Sequence, residues 1–405
     1  MTSTASEKLY LNDSLRLNFT AHIHSQSQWH GRPSVLLDRS AFYPEGGGQP
    51  GDHGRLIHDS GEFQVMDVQI AEDGSIHHVL EGDASGVLKP GDAISGQIDE
   101  KRRRDYMSQH TGQHMLSAMI DQTLDMPTIS ARLGSKSGTI DVEGDSAIFT
   151  PTQIRTIEDA VNHLVLKDLP IEVLYPNSEE LATLGLRRAP KVVNNIRIIK
   201  VGGFDCTPCG GTHCHRTGQV GPVKIVAAER YKGLTRLSFL AGTRAIDYLS
   251  EQAALLNGLA ASVGCAAAEL QGHFDRLREE LKAQSQELGI FRAQVIRNEA
   301  TALLEQWEDA AEPRILIRER EDLKTSRQLA ALLSQREDIL VLIASREEAD
   351  QDWRLILTRG EQRAFDCGAW FRNTGKAAGA RGGGKPNRAE GRLGGDADPQ
   401  ALTLL

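Results

Sequence analysis

Two pairs of side chains that could bind a metal lie far apart along this chain, and their separation limits how the chain can fold. His110 and His114 lie in a segment, 101–120, whose pattern predicts a helix, so both imidazoles project from one helical face. Cys209 and His213 flank Gly-Gly-Thr, a tight turn that brings a thiolate and an imidazole within reach of one ion. A fold that unites the pairs creates a tetrahedral site whose donors favour Zn²⁺, although spacing does not exclude iron, cobalt or nickel.

A second grouping of possible ligands lies within the cysteine-rich segment itself. Cys206-x-x-Cys209 resembles a zinc knuckle, and together with His213 or His215 it could bind a metal without the helix. Each pair alone is modest evidence, because a helical histidine pair is more often structural. Since both pairs occur in one chain, we favour the four-residue site and regard Cys206 and His215 as neighbours of it.

Composition narrows the class of protein. A chain of 405 residues with 25% charged and 40% hydrophobic residues is expected to form two to four compact units. The net charge of −9 argues against indiscriminate coating of nucleic acid, so any RNA contact must use local basic patches. The N-terminus lacks the features of a signal peptide and no apolar run reaches about 18 residues, so we expect a cytoplasmic protein without a membrane span.

The predicted fold class is α+β, with four domains along the chain. Residues 1–98 consist of short β-type runs between turns and predict a small β-barrel, and residues 99–242 predict an α/β core that carries the metal. In residues 243–305 the apolar side chains recur at alternating intervals of four and three residues, which predicts a helical hairpin or short coiled coil. Such a region could support a homodimer. The pattern of residues 306–405 predicts a small α/β domain with a Gly-rich loop. Because this loop lacks the Gly-Lys-Ser/Thr ending of a nucleotide P-loop, the sequence favours ATP-independent chemistry.

Three ordered motifs carry a resemblance to a known family. The sequence resembles the editing domain of alanyl-tRNA synthetases and of AlaX proteins at Phe42–Gln49, His110–His114 and Pro208–His213, and the similarity continues through Gly233–Phe239. The helical region and Gly-rich end resemble the C-terminal domain of those synthetases. The resemblance identifies 99–242 as a zinc-containing editing domain and the chain as a long-form AlaX protein. Because the barrel begins close to Met1, we expect no aminoacylation domain and therefore editing in trans.

The resemblance implies a function. We expect a hydrolase that deacylates Ser-tRNA(Ala), with Gly-tRNA(Ala) as a second candidate substrate and Zn²⁺ as cofactor. Zinc could lower the pKa of a bound water or hold the substrate amino group, and the sequence leaves both open. Two alternatives remain: a non-catalytic tRNA-binding protein with a structural zinc, and a related aminoacyl-ester hydrolase of other specificity.

Two polar residues near the first motif are candidate catalytic residues. The amide of Gln49 could orient the ester carbonyl or the attacking water, or it could be a buried structural amide. Ser40 matches a position where the family commonly has threonine. Its hydroxyl could bind the hydroxyl of a serine substrate, or it could be a solvated turn residue.

Basic residues near these motifs are candidate tRNA contacts. A basic run precedes the predicted metal helix, and two more cations lie in the 233–239 region or next to it. A third group lies in the Gly-rich end, where it could hold the body of the tRNA. The predicted contacts are Arg102, Arg103, Arg104, Lys232, Arg236, Arg381 and Lys385.

Overall fold

The computed structural model of this chain describes residues 6–82, 86–190, 192–307, 312–348 and 350–404. Two compact units are present, Met1–Leu259 and Ala260–Leu405. The structure confirms the mixed α+β class. The finer division into four domains stays a prediction.

The N-terminal strands close into a six-stranded barrel, which confirms the predicted β-barrel. Alternate side chains of the long strand β2, such as Phe19, Ala21 and Ile23, are buried, as expected for a strand with one face on a core. The barrel order is β2-β3-β7-β6-β5-β8, and β1 pairs with β4 beside it. The strands are β1 Glu7–Lys8, β2 Asn18–Trp29, β3 Arg32–Leu37, β4 Arg39–Ser40, β5 Gly54–His58, β6 Gly61–Ile70, β7 Ile76–Leu80 and β8 Ala93–Ile98.

A long buried helix, α1 (Glu100–Leu124), follows the barrel and forms the centre of the first unit. The Asp99 side chain caps its N-terminus by accepting from the backbone N–H of Arg102. The elements around it are β9 Thr128–Leu133, β10 Gly138–Val142, α2 Pro151–Leu166, β11 Ile171–Leu174, α3 Ser178–Thr183, β12 Ile198–Val201, β13 Asp205–Pro208, β14 Val223–Tyr231 and β15 Leu234–Ala241. They form an antiparallel sheet of order β14-β15-β10-β9 and a three-stranded sheet of order β11-β12-β13.

Arg103 joins α1 to the barrel, and the prediction that it contacts tRNA is wrong. Its side chain is fully buried, and Nε lies 3.1 Å from both carboxylate oxygens of Asp52. The terminal nitrogens donate to the backbone carbonyls of Ser14 and Ala41, each at 2.6 Å. Because these partners engage the guanidinium on all sides, Arg103 is a structural residue.

Two helices, α4 (Thr243–Ser262) and α5 (Leu270–Gln306), follow the first unit's last strand. Many of their large apolar residues are exposed, including Leu256 on α4 and Phe274, Leu281 and Phe291 on α5. The packing expected of a helical hairpin is therefore not confirmed, and self-association through this region stays a prediction. Within the described ranges no single helix is long and apolar enough to cross a membrane; α4 and α5 meet that criterion only when taken together as a bent pair.

The second unit contains a five-stranded mixed sheet, which confirms the predicted α/β character. Along β17, Leu340, Leu342 and Ala344 face one core while Val341 and Ile343 face the other, so helices cover both faces. The sheet order is β16-β17-β18-β20-β19. Its elements are β16 Arg314–Glu319, α6 Leu323–Leu333, β17 Leu340–Arg346, β18 Trp353–Arg359, α7 Cys367–Trp370, β19 Arg381–Gly384 and β20 Arg388–Leu393.

The Gly-rich segment is not the loop that was predicted. It forms the hairpin of β19 and β20, which pair from Arg381↔Arg392 to Gly384↔Ala389. A Cβ on Gly382 would lie 2.4 Å from the Glu390 carbonyl oxygen and 2.9 Å from the Phe371 ring. The glycines therefore allow close packing at the edge of the sheet.

Candidate metal centre and its cavity

The structure brings the two predicted donor pairs together in the first unit. α1 presents His110 and His114 on consecutive turns, and the turn after β13 places Cys209 and His213 against them. The four donor atoms lie within 4.8 Å of one another. Cys209 Sγ is 3.4 Å from His110 Nε2 and 3.3 Å from His213 Nε2. Cys206 and His215 lie outside this cluster.

Hydrogen bonds outside the cluster set the orientation of its imidazoles. His110 Nδ1 lies 2.7 Å from Gln49 Oε1, which also accepts the backbone N–H of Thr212 at 3.2 Å. Because a carbonyl oxygen carries no hydrogen and can only accept, His110 donates from Nδ1 and the lone pair of its Nε2 faces Cys209. Thr111 Oγ1 lies 3.3 Å from His213 Nδ1 and leaves Nε2 of that ring facing the cluster.

Glycine and arginine hold the cysteine turn close to the helix. A Cβ on Gly211 would lie 2.2 Å from Cε1 and 2.4 Å from Nδ1 of His110, so a larger residue cannot occupy this position without displacing the ring. Arg197 is buried and donates from Nη1 to the carbonyls of Cys209 (2.7 Å) and Gly211 (3.0 Å). Its Nε donates to the carbonyl of Leu11 at 3.1 Å. The turn is thus fixed at both ends before any ligand binds.

The protonation of the cluster suits metal binding. Burial, followed by the charges of Arg187, Arg188 and Arg197, lowers the pKa of His114 to about 3. Burial likewise lowers the pKa of both other imidazoles well below the ordinary value, so all three rings are neutral near pH 7. Burial raises the pKa of the Cys209 thiol, which must lose its proton when a metal binds. Three neutral imidazoles and one thiol form a donor set that can hold a metal ion.

The cluster opens onto a cavity of about 1100 Å³. His110, His114 and Cys209 contribute to its lining, together with residues 187–189 and 194–197 and residues 129–131 of β9. A molecule that enters this cavity can therefore reach three of the four donors. Gln113 and Thr207 add an amide and a hydroxyl to the lining beside the cluster.

The two predicted catalytic residues lie behind the cavity rather than on its surface. Gln49 is 1% exposed, and its amide also donates from Nε2 to Thr212 Oγ1 at 2.7 Å, so it positions His110 instead of contacting substrate. Ser40 is fully buried in the barrel, with Oγ 2.7 Å from Nε2 of the buried His78. The prediction that Ser40 contacts a serine substrate is therefore wrong, because a barrel histidine already uses its hydroxyl.

The glycine run before Gln49 has a packing role. Gly48 has a φ of +86°, and a Cβ there would lie 2.6 Å from the carbonyl oxygen of Ala131 on β9. The Leu133 N–H donates to the carbonyl of Gly48 at 2.8 Å, which ties the run to the strand. Gly47 lines the cavity.

The predicted basic residues at the start of α1 do not line the cavity. Arg102 donates from Nε to the Gly51 carbonyl at 2.9 Å, and its guanidinium lies 4.9 Å from the centre of the Tyr106 ring. Arg104 is exposed and forms an ion pair with Glu100 at 2.7 Å. Their tRNA contacts stay predictions.

The remaining predicted cations also lie away from the cavity lining. Arg236 forms a two-point ion pair with Asp141 at 2.6 and 2.8 Å and lies over the Tyr231 ring, which Lys232 also approaches. In the second unit, Arg381 and Lys385 are exposed on the glycine hairpin. Contact of these four with tRNA stays a prediction.

Four cationic residues that the motifs did not indicate line the cavity: Lys8, Arg187, Arg188 and Arg197. The adjacent pair Arg187-Arg188 was a visible basic signal, but it lies in a segment without a motif.

Comparisons with known proteins agree with the motifs. Residues 10–102 match the sequence model of one protein family, the class II (A) tRNA synthetases. Residues 196–238 match that of a second family, the threonyl and alanyl tRNA synthetase second additional domain. The alanyl-tRNA editing protein AlaX-L of Pyrococcus horikoshii is 36% identical over 250 residues, which cover 60% of each protein. A solved structure, the C-Ala domain of Aquifex aeolicus alanyl-tRNA synthetase, is 24% identical with a TM-score of 0.21, and the match covers 24% of this chain and 89% of that one.

Alanine–tRNA ligases match a larger part of the chain. Those of Methanoregula boonei and Methanococcoides burtonii are 30% and 27% identical over 88% and 98% of this chain, which spans 38% and 43% of their lengths. The chain thus spans less than two thirds of each of these relatives. It is similar along most of its length to part of the alanine–tRNA ligases and, over 250 residues, to an alanyl-tRNA editing protein, which confirms the resemblance predicted from its three motifs.

Proposed function

We propose that this protein is a zinc-dependent trans-editing hydrolase that deacylates mischarged tRNA(Ala), with Ser-tRNA(Ala) as the main substrate and Gly-tRNA(Ala) as the second. The observation that carries the proposal is the opening of the His110, His114, Cys209 and His213 cluster onto a cavity with a cationic lining. A purely structural site would be expected to have its donors enclosed. Similarity to an alanyl-tRNA editing protein supports the choice of substrate.

The four cluster residues would hold Zn²⁺, which supplies positive charge against the negative charge that develops on an ester oxygen during hydrolysis. Gln49 fixes the tautomer of His110, and Thr111 restrains His213. Arg197 holds the carbonyls of the cysteine turn, so the donors do not need to reorganise when substrate arrives.

Selection of serine over alanine requires a hydrogen bond to the serine hydroxyl, because size exclusion would favour the smaller alanine. Ser40 cannot supply this bond. Gln113 and Thr207 line the same cavity as the metal cluster and are candidates to read a substrate hydroxyl. Thr207 is itself fixed by the carboxylate of Asp205 at 3.1 Å.

Deacylation of Ser-, Gly- and Ala-tRNA(Ala) by the purified protein, with and without chelation of metal, tests the proposal. We expect chelator-sensitive loss of serine while alanine is spared. Binding of tRNA(Ala) without hydrolysis of any ester would favour a binding protein with a structural zinc. Preferential hydrolysis of Thr-tRNA would instead indicate an esterase of other specificity.

A matched pair of histidine variants tests whether hydrolysis and zinc content depend on the cluster and not on a nearby histidine. His114→Ala should abolish hydrolysis and lower the zinc content measured by elemental analysis. His215→Ala should change neither, because His215 is half exposed and lies outside the cluster. A fully active His114→Ala protein without zinc would refute the metal dependence.

A further inference from the structure

One imidazole of the cluster, that of His114, has a buried nitrogen whose partner is not yet assigned. An imidazole that binds a metal through one ring nitrogen carries a proton on the other, and a carboxylate, carbonyl or hydroxyl oxygen commonly accepts it. The structure provides such an atom for the other two rings: His110 Nδ1 lies 2.7 Å from Gln49 Oε1, and His213 Nδ1 lies 3.3 Å from Thr111 Oγ1. His114 Nδ1 is buried and makes no hydrogen bond within the described residues.

The carboxylate that faces this nitrogen is that of Asp205. Its Oδ2 lies 3.9 Å from His114 Nδ1, and a shift of about 1 Å would bring the two atoms to hydrogen-bond distance. The Asp205 side chain is 1% exposed, so solvent screens its charge only weakly. A negative charge this close favours the tautomer of His114 that carries its proton on Nδ1, and that tautomer leaves the lone pair of Nε2 for the cluster.

The carboxylate of Asp205 is held in place and can still accept one more donor. Arg187 donates to it from Nε at 2.8 Å and from Nη2 at 3.2 Å. The Thr207 hydroxyl lies 3.1 Å from both oxygens but has only one proton to donate. Because a carboxylate accepts about four hydrogen bonds, these three leave room for a further donor such as the Nδ1–H of His114.

The backbone fixes Asp205 relative to the cysteine turn. Asp205 is the first residue of β13, which ends at Pro208, directly before Cys209. Hydrogen-bonded pairing with β12 runs along the whole of β13, beginning with Val201↔Asp205. One strand therefore delivers both the thiol donor and the carboxylate to the face of α1 that carries the two helical histidines.

We propose that Asp205 is a positioning residue for His114: its carboxylate accepts the Nδ1–H of the ring and so keeps the Nε2 lone pair directed at the metal cluster. This inference rests on the proposed function, because it concerns a residue that would hold the zinc. The competing role of Asp205 is structural only, as the ion-pair partner of Arg187 without influence on His114. The two roles differ in what they predict for the tautomer of His114 and for zinc affinity.

Long-range ¹H–¹⁵N NMR correlation on the full chain, labelled with ¹⁵N-histidine and stripped of metal by a chelator, shows which nitrogen of His114 carries the proton. The signals of His114 are assigned by their loss in a His114→Gln protein. We expect the proton on Nδ1 in the wild type. A wild-type ring with its proton on Nε2 would overturn the inference, whether or not any Asp205 variant folds.

Asp205→Asn should move this proton to Nε2. The amide has a single oxygen, and the donors Arg187 and Thr207 both require it. The amide NH₂ group then faces His114 and donates to Nδ1, which must accept with its lone pair. An Asp205→Asn protein that keeps the proton of His114 on Nδ1 would contradict the proposed role.

Competition with a chromophoric chelator measures the consequence for zinc. Asp205→Asn should weaken zinc binding about 10- to 100-fold, as is typical when the partner of a ligating histidine is lost. Asp141→Asn is the matched control, because Asp141 also accepts two bonds from an arginine, Arg236, at 2.6 and 2.8 Å and one from the Ser130 hydroxyl at 2.6 Å, and no described contact joins it to a histidine. This control should bind zinc like the wild type.

Arg187→Lys separates the two roles of Asp205. Lysine keeps a cation beside the carboxylate but cannot make the two-point contact of the guanidinium. If Asp205 acts on His114 directly, Arg187→Lys should bind zinc nearly as tightly as the wild type. Equal losses of zinc affinity in Arg187→Lys and Asp205→Asn, or wild-type affinity in Asp205→Asn, would overturn the inference.

The two proposals fail separately because the tautomer and the zinc affinity are measured without tRNA. If the proton of His114 lies on Nε2 while Ser-tRNA(Ala) is hydrolysed in a zinc-dependent reaction, the positioning role is refuted and the hydrolase stands. If both measurements follow the expectation and no ester is hydrolysed, the hydrolase is refuted and the positioning role stands.

Discussion

Replacement of Gln49 by alanine is expected to weaken zinc binding although Gln49 lies outside the set of ligands. The amide makes three hydrogen bonds, to His110 Nδ1 at 2.7 Å, to the Thr212 N–H at 3.2 Å and to Thr212 Oγ1 at 2.7 Å. Gln49→Ala removes all three and leaves at least two buried donors unpaired. Each such donor costs about 1–3 kcal/mol, so the free energy of unfolding should fall by roughly 3 kcal/mol.

The effect on the metal follows from the tautomer of His110. Without Gln49 Oε1 nothing holds the proton on Nδ1, and the ring can turn or present its Nε2–H to the cluster. Loss of such an orienting bond typically lowers metal affinity about 10- to 100-fold. Competition with a chromophoric chelator measures the zinc dissociation constant directly.

Two further variants make this prediction specific. Gln49→Glu keeps an oxygen for His110 and Thr212, and the Thr212 hydroxyl can turn to donate to the second oxygen, so this protein should bind zinc nearly as tightly as the wild type. Gln122→Ala is the control, because Gln122 is an exposed residue of α1 with one bond, 3.0 Å to the Phe204 carbonyl. If Gln49→Ala binds zinc like the wild type, the orienting role is refuted.

Three other expectations concern the barrel and the second unit. Arg103→Ala leaves the buried carboxylate of Asp52 without its ion-pair partner, so the free energy of unfolding measured by urea titration should fall by about 3–5 kcal/mol. Arg104→Ala removes only a surface ion pair and should lower that free energy by less than about 1 kcal/mol. Equal effects of the two variants would contradict this prediction. Burial lowers the pKa of His78 from 6.5 to about 4, so as the pH falls the unfolded chain binds a proton at this imidazole before the folded protein does. The contribution of the neutral His78 to the free energy of unfolding is therefore complete above pH 6.5 and is lost progressively between pH 6.5 and pH 4. The stability difference between the wild type and His78→Gln should therefore shrink by about 3 kcal/mol over that window, and a constant difference would show that His78 does not titrate. Deletion of residues 306–405 should raise the apparent Michaelis constant for tRNA more than it lowers turnover, and unchanged kinetics would exclude this region from tRNA binding.

The parts of the fold that could be predicted are those with a local signal. Spacing of four on a helix determines which side chains share a face, so His110 and His114 could be paired before the structure was known. The Gly-Gly turn likewise determines that Cys209 and His213 lie close together. Short β-type runs between turn residues predicted the barrel for the same reason, since strand and turn preferences are local signals.

The partners of these residues could not be predicted, because they depend on contacts between distant segments. Gln49 contacts Thr212, and Ser40 contacts His78, across long stretches of chain. The choice between a catalytic and a buried amide for Gln49 depends on what packs against it, which periodicity does not encode. The β19–β20 pairing was missed for a related reason, since four exposed residues, three of them glycine, carry no alternating pattern.

The basic run before the metal helix shows why a charge cluster in sequence is not a patch in space. Helical geometry sends consecutive side chains about 100° apart, so Arg102, Arg103 and Arg104 face different surroundings. Arg103 points into the barrel, while Arg104 is in solvent with Glu100. Conversely, Lys8 and Arg188 are far apart in sequence but line one cavity. From the net charge of −9 we predicted that any RNA contact uses a local cationic surface. Only the fold could show that four cationic residues line the cavity onto which the metal cluster opens.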